Sequence, residues 1–374
     1  MYISNINIGY LGKEESIHCE NTITLFKNVN KDIKVLPIYD LYRTQSNHIM
    51  RFWNKIANST DKFLGVHDKD CNQKIEEFFL ENRINCLLAF WGTIPIPYMI
   101  KIKKSHPEVK IILNVLCHPI GLTASKIFIQ NKLLRRSLEY CDGLVYPSHT
   151  MKEYFDKNIT YGKKIPFLIL PPFLTRKYFS TDPIRNCLTE PNLLFLGRMD
   201  WWRGHPTDNL LTQITDIMNL GIHVYHAADS QDGSPLPYHV NRHVFPSLSF
   251  EQLKVFSSQF DASIVMYNLN EDCKDDRFRT TVPDRLIASV AMGLPIVIPR
   301  SGYDACKEFL ENYEAVIEFS SYDELKEIMF DRNYIMNLRI KAKDNMKNYI
   351  AENHIVSLVD FINKIHEMKK WLVL

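Results

Sequence analysis

Short apolar runs punctuate the first part of the chain at 2–8, 33–38, 86–90, 110–116, 143–146 and 166–170. Between them, at 23–30, 74–82, 98–105 and 128–140, apolar residues recur at the spacing of one helix face. Strand and helix in alternation predict βαβ units and a parallel sheet covered on both faces. Pro171-Pro172 interrupts this series, and a second begins after Pro191. It has apolar runs at 193–196, 223–227, 262–266, 296–298 and 315–319, with helical patterns at 208–220, 250–259 and 284–292. Further helical stretches at 322–330, 332–351 and 356–371 close the chain. Two α/β series of similar size, joined near 171–190, predict two doubly wound domains facing a cleft. Ligands are then expected beyond the carboxyl ends of the strands.

The length of 374 residues suits two domains at ~150 residues each. Apolar residues at 45% and charged residues at 24% exclude wholesale disorder. Forty-five basic against 43 acidic residues leave a net charge of +2, too balanced for a protein that coats nucleic acid, so no nucleic-acid partner is expected. The eight cysteines are scattered without a Cys-x-x-Cys pair or metal-like spacing, as in a reduced, cytosolic protein. The N-terminus has neither the basic nor the apolar region of a signal peptide. The longest apolar stretch, 286–298, contains Gly293 and Pro295 and falls short of the ~20 residues that span a bilayer. A cytoplasmic location follows, with contact on the cytoplasmic membrane face left open. Thirteen glycines are about half the usual ~7%, so each one carries information.

Two segments concentrate chemistry. In the first, the apolar run at 193–196 leads into Gly197-Arg198, followed by Arg203-Gly204. A glycine at a strand end lets the backbone approach a ligand, and two arginine forks suit a diphosphate. A tight turn with two solvated arginines accounts for the same residues. In the second, a helix opens at Pro283-Asp284-Arg285 and ends at Gly293, and the next strand runs out to Arg300-Ser301-Gly302. Proline suits a helix's first turn and an acidic side chain its dipole, while the N–H groups there favour an anion.

Together these segments resemble the donor-binding domain of GT-B glycosyltransferases, in particular the retaining family 4-like group. Tyr140-Cys-Asp-Gly-Leu-Val-Tyr-Pro-Ser148, Leu168-Ile-Leu-Pro-Pro-Phe-Leu-Thr-Arg-Lys-Tyr-Phe179 and Phe260-Asp-Ala-Ser-Ile-Val265 resemble further elements of that family, in the family's order. The coverage is about residues 80–320. The resemblance implies two Rossmann-like domains: an acceptor-binding one over 1–172, a nucleotide-sugar-binding one over 173–350, and a C-terminal helix over 351–374 crossing back to the first. It implies donor binding by Gly197, Arg198, Arg203, Gly204, Pro283, Asp284, Arg285, Ser301 and Gly302, with no metal and no cofactor, the nucleotide-sugar being a substrate. Gly197, Gly204, Gly293 and Gly302 would mark the turns of that one site.

In the first domain, the run at 111–116 leads to His118-Pro119, which resembles the family's strand ending in a histidine near the donor sugar. His118 is expected to position the donor and stabilise an oxocarbenium-like state; a packed histidine is the competing reading. Two departures stand out. Ala288 and Thr280 occupy the places of the family's paired glutamates, which leaves retention or inversion open. The N-terminal glycine-rich loop shrinks to Gly9-Tyr-Leu-Gly12, followed by His18, Glu20 and Asn21. Glu20 is the candidate acceptor-side base, with a capped helix start as its alternative.

Two basic, apolar-interleaved stretches carry Lys101, Lys103 and Lys104, and Lys132, Arg135 and Arg136. Both are candidates for peripheral contact with an anionic inner membrane, and solvated helix faces are the alternative. The expected function is glycosyl transfer from a nucleotide-sugar to a glycan, lipid-linked or protein acceptor, in bacterial surface polysaccharide or glycoconjugate assembly. The alternatives are a nucleotide-sugar epimerase or hydrolase on the same scaffold, and a non-catalytic nucleotide-sugar-binding subunit.

Overall fold

The computed structural model describes residues 6–12, 14, 16–29, 31–37, 69–90, 95–119, 124–185, 189–197, 209–227, 238–269 and 276–368. In chain order the strands are β1 (Ile8–Gly12), β2 (Ile33–Pro37), β3 (Cys86–Phe90), β4 (Lys110–Asn114), β5 (Gly143–Tyr146), β6 (Phe167–Ile169), β7 (Asn192–Phe195), β8 (His223–Ala227), β9 (Arg242–Phe245), β10 (Ala262–Ile264), β11 (Ile296–Pro299) and β12 (Val316–Phe319). The first-series helices are α1 (Ile17–Asn28), α2 (Lys69–Asn82), α3 (Ile96–Ser105), α4 (Ala124–Ser137) and α5 (His149–Phe155). They are followed by α6 (Leu211–Asn219), α7 (Phe250–Ser257), α8 (Asp276–Thr280), α9 (Asp284–Ala291), α10 (Asp304–Phe309), α11 (Tyr322–Phe330), α12 (Arg332–Asn345) and α13 (Ile355–Glu367).

The chain divides into two compact units, one formed by 1–172 with 354–374, the other by 173–353. Each is built on a parallel sheet. The first has the order β2-β1-β3-β4-β5-β6 and the second β12-β11-β10-β7-β8-β9. Alternation along β3 shows why its residues are all apolar. Leu87 and Ala89 enter one core with α2, α3 and α4, while Cys86, Leu88 and Phe90 enter another on the opposite face. That second core includes Phe361, Ile362 and Ile365 of α13, so the C-terminal helix completes the first unit. A Cβ added to Gly143 would lie 3.0 Å from the Phe361 ring, so the glycine lets α13 lie close to β5.

The same device ties strands at the amino edge of both sheets. Asp261 precedes β10, and its Oδ2 accepts from the Asn192 N–H of β7 at 2.9 Å, while Asn192 Oδ1 accepts from the Asp261 N–H at 3.0 Å. Arg332 completes a two-pronged ion pair with this carboxylate at 2.7 and 2.8 Å. Asp142 precedes β5, and its Oδ2 accepts from the Ile111 N–H of β4 at 2.9 Å and pairs with Lys103 Nζ at 2.6 Å. These aspartates lie in two of the motifs that carry the family resemblance, and here they hold strands together.

Two expectations change, and one strand has no counterpart among them. The first strand was expected over 2–8 with Gly9–Gly12 as a loop; instead β1 covers Ile8–Gly12. The reason is packing: Tyr10 and Leu11 are buried on opposite faces, and a Cβ on Gly9 would press on Leu87 and Ile84 at 3.0 and 3.1 Å. The helix expected over 332–351 ends at Asn345 and continues as tight turns at Met346–Tyr349 and Ala351–Asn353. Strand β9 has no apolar run to announce it, because it is an edge strand whose Val244 is exposed and only Phe245 is buried.

Candidate functional site

The second sheet reverses its winding between β7 and β10: β8 and β9 step outward from β7, β11 and β12 from β10. The crevice beyond the carboxyl ends at such a reversal is where open α/β sheets bind ligands. Gly197 lies just past β7 and Met266-Tyr267 just past β10. Arg285, in the first turn of α9, reaches into this place. Its Nη1 donates to the Met266 carbonyl at 3.1 Å. Its guanidinium carbon lies 5.1 Å from the Phe195 ring centre and 4.4 Å from that of Tyr267. Two aromatic faces attract the cation and restrict its swing.

Gly197 makes this arrangement possible. A Cβ there would lie 2.7 Å from Arg285 Cζ and 2.7 Å from the Phe195 ring. Tyr267 is fixed in turn: its N–H donates to Tyr303 Oη at 2.7 Å, and its ring packs on Phe278 at 4.0 Å between centres. Burial pushes the Tyr303 phenol up, so it stays protonated. Gln213, in the first turn of α6, donates to Asn268 Oδ1 at 2.9 Å, tying that turn to the same loop.

Pro283 is the N-cap of α9, with φ −79° and ψ 149° and no side-chain cap, and Asp284 is exposed beside it. Ser301, exposed, and Gly302 follow β11. Gly302 has φ +85°, a left-handed conformation that favours glycine, and a Cβ there would lie 3.0 Å from Leu269. Gly197 and Arg285 therefore meet, with Pro283 and Asp284 beside Arg285 at the start of α9. Ser301 and Gly302 sit on the neighbouring strand end, linked to them through the Tyr303–Tyr267 contact. Arg198, Arg203 and Gly204 lie outside the described residues. A guanidinium held at a helix start is suited chemically to an oxyanion, phosphate above all.

Gly293 does not belong to this site. It follows the other end of α9 with φ +68°, and a Cβ there would lie 2.8 Å from Lys343 Cδ and Met346 Sδ. It ends the helix and admits the Lys343 side chain, whose Nζ donates to the Met292 carbonyl at 3.2 Å. At the places of the family's glutamates, Thr280 is buried with its hydroxyl on the Asp276 carbonyl at 2.9 Å, and Ala288 lies within α9.

In the first unit His118 does not reach open space. Its side chain is 0% exposed. Nε2 is 2.7 Å from Asn131 Oδ1 on α4, and the ring meets Tyr154 and Phe155 of α5 edge-on at 5.7 and 5.5 Å. Burial pushes its pKa down to about 4, so the ring is neutral. The sequence showed the strand end but not that α4 and α5 close over it. Glu20 is exposed in the first turn of α1, whose N-cap is Ser16, with Ser16 Oγ accepting from the Cys19 N–H at 3.1 Å. Among the described residues, no three His, Cys, Asp or Glu side chains are grouped to hold a metal ion.

The two basic stretches part company. On α3, Lys103 is withdrawn into its pair with Asp142, with Ile100 and Ile102 buried beside it; Lys101 is half-buried and Lys104 exposed. On α4, Lys132 and Arg136 are exposed, and Arg135 donates to the Asn158 carbonyl at 3.0 and 2.7 Å. Phe195, Tyr267 and Tyr303, which fix Arg285 or its clamp, were not expected from the sequence. The available signal was an aromatic residue at each strand's carboxyl end.

No family model matches the chain, and no curated protein matches it by sequence. Solved structures do match it over nearly its full length. The sucrose-phosphate synthase of Thermosynechococcus elongatus is 10% identical with a TM-score of 0.69, covering 96% of this chain and 99% of that one. A glycosyltransferase of Rickettsia africae is 11% identical with a TM-score of 0.62, covering 98% and 100%. A UDP-forming α,α-trehalose-phosphate synthase of Burkholderia xenovorans is 8% identical with a TM-score of 0.61, covering 97% and 100%. Two parallel sheets flanked by helices, matched from end to end by these structures, give this chain the GT-B fold of glycosyltransferases.

Proposed function

We propose that this protein is a glycosyltransferase that takes its donor, a nucleoside diphosphate sugar, on the second unit and its acceptor on the first. The observation that carries this reading is Arg285, clamped between Phe195 and Tyr267 at the reversal of the second sheet, where Gly197 makes room for it. In this reading Arg285, with Arg198 and Arg203, balances the charge that grows on the departing diphosphate as the glycosidic bond breaks. Those cations and the start of α9 supply that stabilisation without a resident metal. The resemblance to the family 4-like group supports retention at the anomeric carbon, and assembly of surface polysaccharide or glycoconjugate in the cytoplasm. Uridine diphosphate sugars are the first donors to test, because the Burkholderia structure is of a UDP-forming enzyme.

Titration calorimetry with uridine, guanosine, adenosine and cytidine diphospho-sugars tests it. One class is expected to bind, and Arg198→Ala and Arg203→Ala are each expected to weaken it while the melting temperature holds. Absence of binding to all of them would overturn the donor assignment. Product analysis with and without acceptor then separates transfer from epimerisation or hydrolysis, which change the donor alone.

A further inference from the structure

Helix α4 turns one face inward and another outward. Asn131, Leu134 and Ser137 point inward and are buried. Phe128, Lys132 and Arg136, spaced four residues apart, form one exposed stripe on the other side. Phe128 is 61% exposed at one end of that stripe, so an apolar ring and two cations share one surface. No carboxylate occurs anywhere in α4.

A second basic segment is locked beside this stripe. Arg135 holds the Asn158 carbonyl, hydrogen-bonds the Tyr161 hydroxyl and lies 4.5 Å over the Tyr161 ring. Tyr161 is itself 62% exposed. Lys157, Lys163 and Lys164 flank it, all exposed, and residues 157–164 contain no carboxylate. The whole chain has a net charge of only +2, so this concentration of cations around exposed aromatic rings is local.

We propose that the outward face of α4, with the 161–164 turn beside it, seats on a bilayer carrying anionic phospholipid headgroups. Lysine and arginine would meet the phosphates, while Phe128 and the Tyr161 ring enter the headgroup boundary. Among the described residues no helix is long and apolar enough to cross a membrane, so the contact is one of surface adhesion. The proposal stands independently of the transfer reaction.

The test is co-sedimentation of the full chain with vesicles of equimolar phosphatidylglycerol and phosphatidylcholine, against phosphatidylcholine alone. Binding to the first, its loss at high salt, and little binding to the second are expected. Lys132→Glu is expected to weaken binding on the order of tenfold, and Phe128→Ser about fivefold. Both positions are exposed, so circular dichroism and the melting temperature should not change. Lys347→Glu, an exposed charge reversal in the second unit, is expected to have no effect. Equal binding to both vesicles, no binding, or insensitivity to Phe128→Ser would overturn the proposal. So would an equal loss with Lys347→Glu, which would reveal a net-charge effect. Displacement from vesicles by duplex DNA at lower concentration would assign the face to nucleic acid instead.

Discussion

The two sheets are alike at their amino edges and unlike at their carboxyl edges. At the amino edge, an aspartate directly before β5 or β10 accepts a backbone N–H from the neighbouring strand and pairs with a cation from a helix. At the carboxyl edge of the second sheet a guanidinium is clamped by aromatic rings beside a glycine. The corresponding reversal in the first sheet, between β1 and β3, is marked by stacked Tyr10 and Phe90 rings at 4.5 Å. The neutral His118 is buried past β4 of the same sheet. The repeated device serves the fold; the carboxyl ends differ, a clamped guanidinium in the second sheet against buried, neutral rings in the first.

The largest effect should come from the shared device. Asp261 is 0% exposed and holds Arg332 through both prongs, so Asp261→Ala should destabilise the second unit by about 3–5 kcal/mol in urea unfolding. Asp142 is partly exposed, and its partners are two lysines, Lys103 at 2.6 Å and Lys110 at 3.5 Å, neither of which grips both oxygens as a guanidinium does, so Asp142→Ala should cost less. Equal losses would mean the strand-to-strand hydrogen bond, common to both, matters more than the ion pair.

His118 comes next and separates a packing role from a chemical one. Burial pushes its pKa from 6.5 down to about 4, so the folded ring resists a proton that the unfolded ring accepts. Its contribution is present above pH ~6.5 and is lost as pH falls toward 4, by up to about 3 kcal/mol. His226, also depressed by burial, adds to the same trend in the second unit. Unfolding curves across this range should show the loss. His118→Asn should be less stable at neutral pH and flatten the pH dependence of the first unit. Unchanged stability with abolished transfer would return His118 to the reaction.

Arg285→Ala should lower the transfer rate on the order of a hundredfold with little change in melting temperature, since it removes charge stabilisation of the leaving group. Arg285→Lys should rescue only part of this. A lysine supplies the charge, yet not the planar group that stacks between Phe195 and Tyr267. Full rescue would make the aromatic clamp irrelevant.

How much of this was legible in the sequence follows from the reach of each signal. Runs such as Cys86–Phe90 and His223–Ala227, and the helix Tyr322–Phe330, match expectation because periodicity is local. Gly197 and Arg285 were both singled out, but their contact spans residues far apart in sequence, and only the fold shows that one makes room for the other. A glycine after a helix, such as Gly293, has the same local signature whether it meets a ligand or, as here, Lys343. His118 shows the same limit: what covers a strand end is decided by other helices, here α4 and α5.

The smallest effect is expected at Glu20, which sharpens the contrast between the carboxyl edges. Its carboxylate sits in the first turn of α1, where the helix dipole favours negative charge, and Ser16 already caps that helix. Glu20→Gln removes the charge and keeps the shape. A helix-start role predicts a stability loss of about 0.3–1 kcal/mol and a transfer rate within a few fold of the parent. An acceptor-side base would instead cost about 10²–10⁴ in rate and remove the acidic limb of the pH profile. The exposed, capped position favours the first outcome, in which Glu20 is a helix-start residue and not a base. A hundredfold loss with unchanged stability would reverse that assignment and give both carboxyl edges an ionic part in the reaction.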